Sequence, residues 1–286
     1  MDRKLDIQPI DAPIGAVVKG LQFDEPLDPD ALQKLFDALD RHVVLVIREA
    51  EFPRDAHVVV EFCRQLGVLR RRAPDPAVLR DLPEVTIVSN TDDDGVVGIA
   101  GASELDWHAD MAFTFPVTRY VLLDAVEVPS RGSGGETEFT DLRAAYNTLP
   151  RHFKERVDYL QVEYTMRADV AEGTYYSQQT SEMPRISHPL VQKNSRTGAR
   201  SLWPNGGFID SRIVGMPQQE SRDLLASLRL HATAPEFVYT HSWLEGDAVL
   251  WDNMATLHCR QGFDPHERRV VRRVYIEDRS PVQEPS

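Results

Sequence analysis

ELDWHADMAF, residues 104–113, places His108 and Asp110 two positions apart in an otherwise strand-like run of tryptophan, methionine and phenylalanine. In an extended strand alternate side chains share a face, so the histidine and the aspartate point one way while Trp107 and Ala109 point the other. Two such side chains share either a metal ion or a hydrogen bond. One His-x-Asp pair is about what chance supplies in a chain of this composition. The choice therefore depends on what the rest of the chain offers, because an open mononuclear metal site needs a second imidazole delivered to the same face.

Nine histidines are present. His42 and His57 sit at helix edges, His152, His231 and His266 in polar helical or loop stretches, and His188 opens a strand before Pro189, which leaves His241 and His258. His258 follows a WDN turn (251–253) and precedes an arginine cluster, RRVVRR (268–273). Strand periodicity puts Arg269 and Arg273 on one face, separated by about 13 Å, far enough to serve two different anions. A guanidinium is suited to bidentate pairing with a carboxylate. A solvated edge strand defended by charge fits Arg268 and Arg272, on the other face, and is an equal alternative for Arg269 and Arg273.

Outward from these residues the chain reads as many short strands with a few helices. DPDALQKLFDALDRH (28–42) opens on an N-cap aspartate and repeats apolar residues at helical spacing, and VVLVIR (43–48) follows as a buried strand. AHVVVEFCRQLG (56–67) predicts a second helix closed by Gly67, EVTIVSN (84–90) a strand, and LRAAYNTLPRHFKERV (142–157) a third helix. HPLVQKNSRTGARSLWPN (188–205) predicts two strands around a glycine turn. Such a pattern suggests a sandwich or jelly roll. One domain over 1–279 is expected, with a lid or insertion near 167–187, where the sequence is polar and aperiodic, and a disordered tail at 280–286.

Composition narrows the partners. Over 286 residues, 32 Lys and Arg stand against 45 Asp and Glu, a net charge of -13 that repels phosphate backbones and anionic membranes. No nucleic acid and no membrane partner is expected, and a small-molecule substrate is. MDRKLDIQPI lacks the apolar core of a signal peptide, and no apolar run approaches a membrane span, so a cytoplasmic location is expected. Cys63 and Cys259 are too few for a disulfide framework or a cysteine-built zinc site, so any metal would be held by imidazole and carboxylate.

WHAD (107–110), GGET (134–137), HPLV (188–191) with TGARSL (197–202) and PNGGF (204–208), LWDNMATLH (250–258) and HERRVVRR (266–273) together resemble the iron(II)- and 2-oxoglutarate-dependent taurine/2,4-dichlorophenoxyacetate dioxygenases, in order and spacing from about Gly15 to Ile276. The resemblance implies a mixed α/β fold with a double-stranded β-helix (jelly-roll) core and flanking helices. It implies Fe(II), 2-oxoglutarate and O2 as cofactor and co-substrates, with oxidation of a C–H bond, by default hydroxylation, and release of succinate and CO2. His108, Asp110 and His258 would be the iron ligands. Thr137 and Arg269 would hold the far carboxylate of 2-oxoglutarate, and Arg273 an anionic group of the primary substrate. Keeping Asp110 as a carboxylate disfavours halogenation, which needs that ligand position open. A homo-oligomer is compatible with the resemblance.

The stretch GVLRRRAPD (67–75) departs from the taurine-cleaving members, which carry a substrate-contacting histidine and tyrosine where Arg72 and Asp75 stand here. Arg72 with Arg273 would suit an acidic substrate, a small carboxylate or amino-acid derivative, and Glu104 or Asp75 would meet an amine; Arg70, Arg71 and Arg72 read equally as a solvated loop. Trp203 and Phe113 are candidates for pocket lining or plain core. Two other classes use parts of the same pattern: a non-redox jelly-roll metalloenzyme, such as an isomerase or hydrolase, would keep the three ligands without the Arg269/Thr137 clamp, and a catalytically silent metal-binding protein would need no oxygen position.

Overall fold

A computed structural model describes residues 5–21, 23, 25–48, 53–72, 77–92, 98–166, 185–207 and 209–277. The strands in its first half are β1 (Asp6–Pro9), β2 (Ala16–Lys19), β3 (Val44–Ile47), β4 (Val68–Leu69), β5 (Val78–Leu79), β6 (Leu82–Ser89), β7 (Leu105–His108), β8 (Thr118–Glu127) and β9 (Thr137–Thr140). Those in the second half are β10 (Gln161–Met166), β11 (Ile186–Pro189), β12 (Val191–Lys193), β13 (Arg200–Leu202), β14 (Ile209–Ile213), β15 (Val238–His241), β16 (Ala248–Asp252), β17 (His258–Arg260) and β18 (Val270–Glu277). The helices are α1 (Pro29–His42), α2 (Ala56–Leu66), α3 (Leu142–Thr148), α4 (Arg151–Val157) and α5 (Gln218–Ala232).

A large sheet in the order β1-β2-β3-β16-β8-β18-β6-β5, with β4 also on β18, faces a smaller one in the order β15-β9-β17-β7, the two layers of a jelly roll. The uninterrupted apolar run of β3 follows from its place inside the large sheet, where both faces are covered. Val44 and Val46 join the core between the sheets, while Leu45 and Ile47 pack under α1 and α2 with Leu35, Leu39, Phe62 and Leu66. The same alternation runs through β16, where Val249 and Trp251 face inward and Ala248 and Leu250 face the helices.

Local expectations mostly hold. Asp28 caps α1 by accepting from the Ala31 amide at 2.8 Å. Gly67 ends α2, but with an extended backbone (φ 173°) rather than a left-handed one; a Cβ there would collide with the Glu277 carbonyl of β18, so glycine serves close approach. The helix expected over 142–157 breaks in two at Pro150, whose ring removes an amide donor. The hairpin β12–β13 turns at Gly198 (φ +75°), where a left-handed backbone favours glycine. Of the segment expected to form a lid, residues 167–184 lie outside the described residues, as does the 280–286 tail, whereas Ile186 and Ser187 already belong to β11.

The edge-strand reading of the arginine cluster is corrected. β18 lies inside the large sheet between β8 and β6, and Arg272 is buried on the helix-covered face. Its Nε donates to Asp124 Oδ1 at 2.7 Å across the β8–β18 register, and its terminal nitrogens donate to the carbonyls of Arg54 and Pro53 at 2.6 and 2.8 Å. Burial pushes the Asp124 carboxyl up to about 6 against the pull of Arg272. Arg268 alone fits the expectation, exposed and 3.0 Å from Glu127. Arg272→Met strands the buried Asp124 and is expected to lower the unfolding free energy by about 3–5 kcal/mol, read by urea denaturation, with most of the loss recovered when Asp124→Leu is added.

Candidate active site

The two candidate imidazoles meet because β17 and β7 pair antiparallel with His258 directly opposite His108. Their ring centroids lie 4.2 Å apart, and both side chains are buried. Asp110 joins them, and one ligand atom from each of the three falls within 4.8 Å of the others. His241, the other histidine left by the sequence, lies elsewhere: it is fully buried beside Tyr239 and Asp247 on β15.

Asp110 does not reach this position by strand alternation. β7 ends at His108, and the chain turns through Ala109 and Asp110 to Met111, which has φ +57°. Two fully buried asparagines hold that turn. Asn205 accepts from the Ala109 amide at 2.8 Å and donates to the Ala109 carbonyl at 3.0 Å. Asn253 accepts from the Asp110 amide at 3.0 Å and donates to the Asp110 carbonyl at 2.9 Å. Each side-chain amide thus pairs with a turn residue as a neighbouring strand would, which satisfies buried backbone groups that no strand reaches. Gly207 (φ +67°) lets the loop carrying Asn205 pass the metal-side strand, since a Cβ there would lie 3.2 Å from the His108 Cβ.

Protonation follows from the contacts. His108 Nδ1 is 2.7 Å from the Asp106 carbonyl, which can only accept, so Nδ1 carries the hydrogen and Nε2 presents its lone pair to the site. Burial lowers the His108 pKa against the pull of Asp110, and burial with the nearby His108 takes His258 down to about 3. Burial alone would raise Asp110, but Arg273, His258, His108 and the Tyr275 hydroxyl hold it below its ordinary value. Asp110 Oδ1 accepts from Arg273 at 3.1 Å and Tyr275 at 3.3 Å, while Oδ2 is buried with no hydrogen-bond partner, 3.8 Å from His258 Nε2. Two neutral imidazoles and an ionised carboxylate with an orphaned oxygen are a donor set that fits a divalent iron.

A second group of residues lies around the start of β9, an inner strand of the small sheet. Thr137 is buried, and its Oγ1 accepts from the Trp243 indole N–H at 2.9 Å. The Arg269 guanidinium lies 5.8 Å from the Trp243 ring centroid and is 3% exposed. Burial, with repulsion from Arg260, pulls its pKa down to about 9, and no carboxylate among the described residues pairs with it. A buried cation without a counter-charge fits an anionic ligand.

Arg72 and Arg273 converge. Their guanidinium carbons lie 5.9 and 4.8 Å from the Tyr275 ring centroid, and Arg72 donates to Thr86, the register neighbour of Arg273, at 3.3 Å. Of the solvated-loop reading, only Arg71 is exposed; Arg70 pairs with Glu277 at 2.8 Å. Glu104 is exposed just ahead of β7, and Asp75 lies outside the described residues. Trp203 and Phe113 are core: Trp203 is fully buried and donates to the Asn253 carbonyl at 3.1 Å, and Phe113 is 1% exposed. Asn205, Asn253, Tyr275 and Trp243 were not singled out by the sequence, although PNGG and WDN contain the two asparagines and Tyr275 shares the strand face of Arg273.

The family profile described as "Taurine catabolism dioxygenase TauD, TfdA family" matches residues 6–275. Pentalenolactone F synthase of Streptomyces avermitilis is 34% identical over 96% of this chain and 94% of its own length. The alpha-ketoglutarate-dependent 2,4-dichlorophenoxyacetate dioxygenase of a Burkholderia species is 35% identical over 90% and 89%. Among solved structures, AAD-2 in complex with Mn(II) and N-oxalylglycine matches with a TM-score of 0.78 and 27% identity, over 97% of this chain and 99% of that one. The chain is a dioxygenase that depends on Fe(II), 2-oxoglutarate and O2. It belongs to the TauD/TfdA family, and the non-redox and silent alternatives fall with that membership. No helix among the described residues is long and apolar enough to cross a membrane.

An ion held by this triad depends on the turn that Asn253 fixes, so Asn253→Ala is expected to weaken Mn(II) binding about 10–100-fold, followed by the EPR signal of free Mn(II). A pH effect follows from the buried histidines. His258 and His188, the latter taken down to about 4 by burial, resist protonation in the fold, whereas the unfolded chain takes up protons near 6.5. The contribution of these two histidines to the stability of the metal-free protein is therefore complete above pH 6.5 and is lost as pH drops toward 4, and His188→Gln removes its share of that loss in urea titrations.

Proposed function

We propose that His108, Asp110 and His258 hold the iron, that Thr137 and Arg269 hold the far carboxylate of 2-oxoglutarate, and that the enzyme hydroxylates a C–H bond of a small anionic substrate received by Arg273 and Arg72. The observation that carries the substrate class is the convergence of these two arginines on Tyr275, whose hydroxyl reaches Asp110. Bound iron and 2-oxoglutarate supply the oxidising power: O2 converts 2-oxoglutarate to succinate and CO2, and its second oxygen atom enters the substrate.

The protein's part is placement. His108, Asp110 and His258 would hold the metal through three ligands, which would leave coordination positions for 2-oxoglutarate and O2. Arg273 gives one N–H to Asp110 and keeps others, including a buried Nε without a hydrogen-bond partner, for an anion. An anion drawn to Arg72 and Arg273 is held beside the metal ligands, which fixes the distance between its C–H bond and the site where the oxidant forms. The relative that acts on 2,4-dichlorophenoxyacetate, a carboxylate, supports the same class.

Adding Fe(II) and 2-oxoglutarate without oxygen is expected to give the weak visible band of the chelate, and succinate release across small carboxylates and N-acyl amino acids identifies the substrate. With that substrate, Arg72→Gln raises KM about tenfold with little change in kcat or in 2-oxoglutarate affinity. An unchanged KM would remove Arg72 from the substrate site. Stimulation by uncharged molecules alone would overturn the anionic class.

A further inference from the structure

Trp243 belongs to no ligand set, yet it touches both residues of the anion pocket. It lies on the turn after β15, and that turn is built around a buried carboxylate. Asp247 Oδ2 accepts from the Leu244 amide at 3.0 Å and lies 3.3 Å from both Arg48 Nη2 and His241 Nε2. Arg48 also donates to the Ser242 carbonyl at 3.1 Å. The His241 ring stands edge-on to the indole, with centroids 4.6 Å apart and planes at 90°. Trp243 is thus fixed from behind, with its N–H on Thr137 and its ring under Arg269.

We infer that Trp243 is a positioning residue for the co-substrate: its N–H sets the direction in which the Thr137 hydroxyl donates, and its ring holds the Arg269 guanidinium beside that hydroxyl. A threonine hydroxyl has one proton and two lone pairs, whereas the indole nitrogen only donates. With one lone pair of Thr137 taken by Trp243, the hydroxyl proton is turned outward to an acceptor. Arg269, which only donates, cannot be that acceptor; a carboxylate can. The pocket is therefore set for an anion before one arrives, and the ring face stabilises a desolvated cation that has no carboxylate partner among the described residues.

The inference rests on reading Thr137 and Arg269 as the 2-oxoglutarate pocket, and the experiment separates the two. Binding of 2-oxoglutarate to Mn(II)-loaded protein is measured by calorimetry for the wild type, Trp243→Phe, Thr137→Val, their combination and Arg269→Gln. Phenylalanine keeps a ring face and removes the donor. Trp243→Phe and Thr137→Val are each expected to weaken binding about tenfold, the double variant no more than Thr137→Val alone, with Mn(II) affinity unchanged. Wild-type affinity in Trp243→Phe, or multiplication of the two losses in the double variant, overturns the inference. Unchanged affinity in Arg269→Gln overturns the underlying reading instead. Should a variant fail to fold, indole 15N spectra of Zn(II)-loaded wild type decide: the Trp243 N–H signal is expected to shift on adding 2-oxoglutarate but not 2-oxovalerate, which lacks the far carboxylate, and no such difference overturns the inference.

Discussion

Two imidazoles and a carboxylate within 4.8 Å, out of water, form the constraint on which the rest of the structure depends. In water these groups would separate and solvate; in the core their desolvation is offset only if each finds a partner. The carboxylate finds Arg273 and Tyr275 through one oxygen and keeps the other bare. The imidazoles stay neutral because burial disfavours their protonated forms. A divalent cation between them would satisfy what the protein alone leaves open.

That arrangement explains much of the surrounding architecture. The small sheet exists at the site as a frame for the His108/His258 register, and the loops carrying Asn205 and Asn253 exist there to replace the strand that Asp110 lacks. Trp203, filling the core between those loops, donates to the Asn253 carbonyl and so ties hydrophobic packing to the geometry of the metal turn. The large sheet contributes through β18, whose alternation sends Arg273 and Tyr275 inward and Arg272 toward the helices.

The two anion-binding regions differ in how they are prepared. Arg269 is buried beside a fixed aromatic ring and a hydroxyl already engaged by a donor, which would suit a co-substrate that is the same in every turnover. Arg72 and Arg273 gather over a single ring, half-buried. On the proposed assignment, the first site would trade adaptability for affinity and the second would accept a substrate of variable shape.

Much of this was legible in residue order. The apolar runs of β3 and β16, the cap at Asp28, the spacing of His258, Arg269 and Arg273, and the family resemblance they carry follow from local periodicity and from side-chain chemistry, which a sequence displays directly. Other features depended on what packs against what. Arg272 reads as a surface charge until α2 covers its face, and Asp110 reads as a strand residue until the chain turns at Ala109. Trp243 carries no local signal of this role, because Thr137 and Arg269, the residues it would position, lie over a hundred residues upstream and 26 residues downstream. Sequence determines which groups are available and how they alternate along a strand; only the tertiary fold decides which of them lose water together, and it is that shared loss of water that makes a ligand set or an anion pocket.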